Sequence, residues 1–216
     1  MDDSKLRQDV LDELDWQAHI PSEQISVTAD RGIVRLSGYV ATYAEKVAAE
    51  QAVKHVVGVR AAVLENLEVR VADEIAVADE EISARARTSL GWAALVPRGQ
   101  VEVSVEGRWV TLSGQLEWHF QRAAAESVVR NLAGVAGVTN KITLRPHAQT
   151  TDLKSHIERA LQRSAGVDAR FVRVKVVDGL VTLEGAVGSW YARERAEDAA
   201  WMAPGVRAVH DLLVVM

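Results

Sequence analysis

The sequence predicts an α+β fold of three tandem αββαβ units, each a three-stranded mixed sheet with two helices packed on one face. Three observations predict it. An apolar strand phrase bounded by glycine occurs three times, as "RGIVRLSG" at 31–38, "GRWVTLSG" at 107–114 and "DGLVTLEG" at 178–185. An alternating run precedes each phrase: "QISVTA" at 24–29, "VEVSVE" at 101–106 and "FVRVKV" at 171–176. Twenty residues after the glycines Gly38, Gly114 and Gly185 comes a second glycine followed by valine, at Gly58, Gly134 and Gly205. An interval constant in all three copies marks a repeat.

Each unit opens with a helix, because Leu6/Val10/Leu14, Ile82/Ala86/Leu90 and Leu153/Ile157/Leu161 recur every four residues. The alternating runs have period two and read as strands with one buried face. A tight junction at Asp30-Arg31-Gly32, Glu106-Gly107-Arg108 or Asp178-Gly179 joins each run to the repeated phrase in a hairpin. The twenty-residue interval holds a second helix with an apolar stripe: Ala49/Ala52/Val53/Val56, Ala125/Val128/Val129/Leu132 and Ala196/Ala199/Ala200/Ala203. Thr42 with Glu45 fits a capping box, Ser189 fits an N-cap, and the second glycine fits a helix C′ position. The runs "NLEV" at 66–69, "NKITL" at 140–144 and "DLLVV" at 211–215 supply the last strand, reached by a βαβ crossover. The domain boundaries follow at 1–72, 73–147 and 148–216, joined by the short segments 71–79 and 146–152.

Composition narrows the function. The chain has no cysteine, which removes disulfides, thiolate catalysis, thiolate metal sites and a lipidated cysteine together. A formal net charge of −5 predicts no bulk attraction to nucleic acid or to anionic lipid. No phosphate-binding loop is present, and "GVAGVTN" follows a helix instead of preceding one. His19, His55, His119, His147, His156 and His210 show no helical metal-site spacing and no place in a nucleophilic triad, and read as surface or joint residues. Neighbouring carboxylates such as Asp2-Asp3 and Glu80-Glu81 stand at helix starts, where the helix dipole favours them. No catalytic residue, metal site or cofactor is expected. The acidic amphipathic start is not a signal peptide, and no apolar run approaches the roughly 18 residues of a membrane span. The expected compartment is the cytoplasm, or the periplasm for a chain whose signal has been removed.

The stretches "GIVRLSGYV…AEQAVKHVVGVRAAVLENLEV", "WVTLSGQL…AAESVVRNLAGVAGVTNKITL" and "LVTLEGAV…AEDAAWMAPGVRAVHDLLVV" resemble the BON domain, the small αββαβ module of bacterial osmotically inducible and haemolysin-like envelope proteins. The resemblance covers nearly the whole chain, in three copies. It implies a non-enzymatic module associated with phospholipid membranes, envelope integrity and osmotic stress. Some cytoplasmic relatives pair a BON domain with a LysM domain and are associated with potassium. The chain shows neither the export signal or lipobox of the periplasmic members nor a LysM-like tail. The landmarks Gly38, Gly58, Gly114, Gly134, Gly185 and Gly205 fix the fold; the first glycine of each pair is expected to let the strand turn sharply into the second helix.

Charge and tryptophan placement supply the candidate surface. Lys and Arg number 8 against 12 Asp and Glu over residues 1–72, 8 against 9 over 73–147, and 9 against 9 over 148–216. The third unit is least repelled by an anionic surface, and it holds Arg193 and Arg207. Trp16 and Trp92 end matching first helices and are expected to be structural; Trp109 aligns with Ile33 and Leu180 in a strand and is expected in the core. Trp190 and Trp201 lie eleven residues apart, within about 20° of one azimuth on the nominally polar face of the last helix. Trp190 stands where the other units carry Tyr43 and His119, and Trp201 where they carry Lys54 and Arg130. Two readings account for the pair: packing in the core or against another unit, or an exposed membrane- or partner-binding surface with Arg193 and Arg207. The leading expectation is reversible association with phospholipid surfaces, with avidity from three modules. The alternative is a cytoplasmic module that binds a protein partner or senses potassium.

Overall fold

A computed structural model describes residues 2–70, 77–145, 152–164 and 166–216. His147, both predicted boundaries and most of the two joining segments lie outside these residues. Among the described residues are six α-helices and ten strands: α1 (Asp3–Trp16), β1 (Ile25–Asp30), β2 (Ile33–Val40), α2 (Tyr43–His55) and β3 (Ala61–Val69) in the first unit. The second has α3 (Asp79–Trp92), β4 (Val101–Glu106), β5 (Trp109–Leu116), α4 (His119–Arg130), β6 (Gly137–Asn140) and β7 (Thr143–Leu144). The third has α5 (Leu153–Arg163), β8 (Val172–Val177), β9 (Leu180–Val187), α6 (Trp190–Trp201) and β10 (Ala208–Val215).

Each sheet is mixed. The hairpin pairs are antiparallel (β1–β2, β4–β5, β8–β9), and the strand after the second helix adds parallel to the middle one. The hairpins close through Arg31-Gly32, Gly107-Arg108 and Asp178-Gly179, whose six φ values are all positive. Two successive left-handed residues are what a two-residue turn matching strand twist requires. The second unit splits its last strand: both β6 and β7 pair with β5. At the end of β6, Asn140 directs its Nδ2 to the Arg122 carbonyl and the Glu126 carboxylate, and its Oδ1 accepts from the Ile142 N–H.

The two helices of each unit lie together over one sheet face and bury the predicted stripes. Leu6, Val10 and Leu14 of α1 and Ala49, Ala52 and Val53 of α2 are sealed from solvent against Val34, Leu36 and Leu67. Parallel cores form around Ile82, Leu112 and Val129 and around Ile157, Leu183 and Ala196. The capping box forms, with Glu45 N–H donating to Thr42 Oγ1 and Glu45 Oε2 accepting from Thr42 N–H. Ser189 Oγ likewise caps α6 by accepting from Ala192 N–H. Apolar content differs between copies: α6 buries only alanines, where the second unit carries Val128 and Val129 in α4 and Leu132 just beyond it. Each missing methylene withholds about 0.8 kcal/mol of burial. The tryptophans at the two ends of α6 are the large apolar groups that pack beside those alanines.

Two expectations about glycine are corrected. Gly38, Gly114 and Gly185 do not turn the chain into the second helix, because the strand runs two residues further in every copy. They adopt φ of +124°, +131° and +125° inside the strand, and a Cβ on any of them would run into the carbonyl oxygen of Gln24, Gln100 or Phe171 across the hairpin. Close backbone approach, in a conformation other residues resist, is therefore the constraint. Nor do Gly58, Gly134 and Gly205 occupy C′. The C-caps are Val56, Asn131 and Met202, and the glycines lie two or three residues beyond, with φ of +91° to +100° in the turn that feeds the last strand.

Replacing Gly185 with alanine should cost about 2–3 kcal/mol, from positive-φ strain together with the displaced Phe171 carbonyl. Chemical denaturation checks this: alanine at Gly188, where nothing lies within 4 Å of an added Cβ, should by contrast be nearly silent.

Candidate functional site

The second helices begin with Tyr43, His119 and Trp190, the positions where the sequence repeats an amphipathic ring. Each of these first residues reaches a neighbouring unit. Tyr43 packs on the core of the second unit and takes a backbone hydrogen bond from Val138 there. His119 of the second unit stacks on Trp201 of the third, with ring centroids 4.0 Å apart and planes 11° from parallel. Trp190 of the third unit packs on the core of the first, under the Lys54 ammonium at 5.2 Å. The head of each second helix thus meets the tail of the next. One touches two, two touches three, and three touches one. The result is a closed ring with approximate three-fold symmetry.

The three junctions use different chemistry. At the first, burial raises the Tyr43 phenol above its ordinary pKa, the Glu126 carboxylate adds to that rise, and Val138 and Arg130 oppose it. At the second, burial lowers His119 to about 4 with the Arg122 guanidinium adding to the effect. Arg122 also lies 5.2 Å from the Trp201 ring centre, and Trp201 Nε1 donates to Glu197. His119 Nδ1 is buried without a hydrogen-bond partner. At the third, Trp190 lies near two cations, Lys54 on one unit and Arg193 on the other, the latter 4.7 Å from its centre. Cation–π contacts of this kind strengthen as they leave water. Trp190 Nε1 is buried and unpartnered, so part of that gain is offset.

The structure brings Trp190 and Arg193 together and keeps the other two predicted surface residues apart from them. Arg193 is held by Asp211 of β10, Nε to Oδ2 at 2.6 Å, with side chains only 24% and 13% exposed. Trp201 lies eleven residues, about 16 Å, further along α6, in a different junction. Arg207 is exposed beside Gly179 at the hairpin end. Of the two readings of Trp190 and Trp201, the geometry is that of packing between units.

The other tryptophans reverse their expectations. Trp16 and Trp92 are 85% exposed at the ends of α1 and α3, although structural roles were expected. Trp109 is 49% exposed, not core: it lies on the uncovered sheet face above Gly137, with Nε1 donating to Thr139 at 2.7 Å. Its strand position faces away from the helices, as the partly buried Ile33 and Leu180 do. His119, read as a surface or joint residue, is half-buried. Trp92, Arg87 and Arg98 edge a shallow depression, and Leu95, three residues after Trp92, is also exposed. Around Trp16 the helix carries Asp12, Glu13 and Asp15 instead.

No group of three or more His, Asp or Glu side chains that could hold a metal occurs among the described residues, and no helix there is long and apolar enough to cross a membrane. A ring of three αββαβ modules with exposed aromatic and basic side chains defines a class of small tandem-repeat α+β proteins. The BON domain family model matches residues 2–73, 78–146 and 149–216, and the chain belongs to that family. It is similar to the osmotically-inducible protein Y of Escherichia coli, with 34% identity over 139 residues that span 61% of this chain and 69% of that one. Among solved structures it has distant likeness to CdsD, a structural protein of the type III secretion system of Chlamydia trachomatis (17% identity, 98% of this chain and 92% of that one, TM-score 0.26). A second distant likeness is to the PrgH periplasmic domain (15% identity, 95% and 99%, TM-score 0.23).

The His119 junction should make stability depend on pH. The folded state holds this imidazole neutral down to about pH 4, whereas the unfolded chain protonates it near 6.5. Its contribution is therefore fully present above pH 6.5 and is lost as pH falls to 4, by about 1–2 kcal/mol after allowing for solvent screening. Urea melts at pH 7.5 and 4.5 should show that loss in the parent. In a His119→Phe variant, which keeps the stack and removes the titration, the loss should shrink by most of that amount.

Proposed function

We propose that this BON-domain protein is a non-enzymatic module of the osmotic or envelope stress response that associates reversibly with phospholipid surfaces. The observation carrying the reading is Trp92, 85% exposed beside Arg87 and Arg98, with the exposed Leu95 three residues further along the chain. An exposed indole with an aliphatic neighbour and flanking guanidinium groups suits the headgroup boundary, where the ring enters the interface and the cations meet phosphate. The likeness to a protein named for osmotic induction supports the stress link. The membrane-facing role passes in this reading from the third unit to the second, since Trp190 and Trp201 are engaged between units. Trp16 matches Trp92 in position but is flanked by carboxylates, which anionic headgroups repel.

Vesicle co-sedimentation tests the proposal. Parent protein should bind phosphatidylglycerol-containing vesicles with blue-shifted tryptophan emission, more weakly at higher salt. A Trp92→Ala/Leu95→Ala variant should bind at least about fivefold more weakly, roughly 1 kcal/mol, with an unchanged melting temperature. Equal binding by parent and variant would refute the Trp92 surface.

A further inference from the structure

The groove between α5 and α6 exists because α6 is short of side-chain volume. Ala199 and Ala203 stand where the second unit has Val128 and Leu132, and Ala160 of α5 lies opposite them. The space left, about 550 Å³, is walled by His156, Arg159 and Arg163 from α5 and by Arg195 from α6. Among the described residues no carboxylate lines it. Arg159 donates to the Ser155 carbonyl, and among the described residues neither it nor Arg163 belongs to an ion pair. Arg195 has the exposed partner Asp198, 3.5 Å away. At the α5 end of the groove Ser164 Oγ is buried without a hydrogen-bond partner.

Matching positions show that this arrangement belongs to the third unit alone. Arg159 replaces Asp12 and Thr88, and Arg195 replaces Ala48 and Ala124. Arg163 stands where the other units carry the exposed Trp16 and Trp92. The third unit has thus exchanged an interfacial aromatic for a guanidinium beside a cleft.

We propose that this groove binds a soluble phosphomonoester with a compact apolar body. The phosphate is held by Arg159 and Arg163 from one wall and Arg195 from the other, with Ser164 Oγ available as a further donor. The apolar part lies over Ala160, Ala199, Ala203 and Met202. Guanidinium groups on opposite walls suit a dianion taken between the helices, and planar donors pair with phosphate oxygens two at a time. A small ligand fits better than a lipid headgroup, because the aromatic that would enter a bilayer is missing from this unit's first-helix end. The site is separate from the Trp92 surface and does not depend on the membrane reading.

The test is calorimetric titration of the intact chain with phenyl phosphate and with inorganic phosphate, alongside sedimentation with phosphatidylglycerol vesicles. Phenyl phosphate should bind saturably, at least about tenfold tighter than inorganic phosphate, and weaken with salt. An Arg159→Gln/Arg163→Gln variant should lose at least about tenfold in affinity. Ala203→Leu, which fills the groove as Leu132 does in the second unit, should weaken phenyl phosphate with no loss of melting temperature. Trp92→Ala should bind it as the parent does. The proposal is overturned by absent saturation, by binding no tighter than inorganic phosphate, or by affinity unchanged in the arginine variant. Loss of vesicle binding in that variant without any phenyl phosphate binding also overturns it, and gives the groove to lipid headgroups.

Discussion

The arrangement of the whole molecule depends on the contact between the first residue of one second helix and the last turn of the next. Each unit is small, and domains of this size are near the limit of independent stability. The junctions at Tyr43, His119 and Trp190 add apolar area that no unit could bury alone. They also explain why α6 tolerates a stripe of alanines: its two terminal tryptophans pack on its own core and reach the first and second units at the same time.

The secondary structure was legible almost completely in the sequence, because strands and helices declare themselves by period. Val101 to Glu106 alternates, Leu153/Ile157/Leu161 recurs by four, and Thr42 with Glu45 caps a helix where both residues said it would. The glycines were visible as landmarks, but their role was not. That Gly38 faces the Gln24 carbonyl depends on hairpin register, and one strand cannot show it.

Tryptophan placement was the least legible feature, for a physical reason. Helical periodicity reports which face turns toward a unit's own sheet; it carries nothing about a neighbouring unit. Trp190 and Trp201 lie on the face that periodicity marks polar, and that is the face the ring covers. Trp16 and Trp92 lie past the last buried residues of their helices, Leu14 and Leu90, and stay exposed. One signal did point to the junctions: the recurrence of a ring-bearing residue at Tyr43, His119 and Trp190. The groove beside α6 had a matching signal in the alanine stripe, whose lost volume reappears as open space.

A closed ring has consequences that a stack of repeats does not share. In a linear array every added module creates a fresh terminal surface, so length is open-ended and the last copy must be capped. Here the third module's leading residue returns to the first, and every head and tail is occupied. A fourth copy would find no vacant docking position without opening a junction. Placing three copies on one polypeptide also frees each junction to diverge, as phenol, imidazole–indole and cation–indole contacts have done. A homotrimer, bound by symmetry, would have to repeat one solution three times.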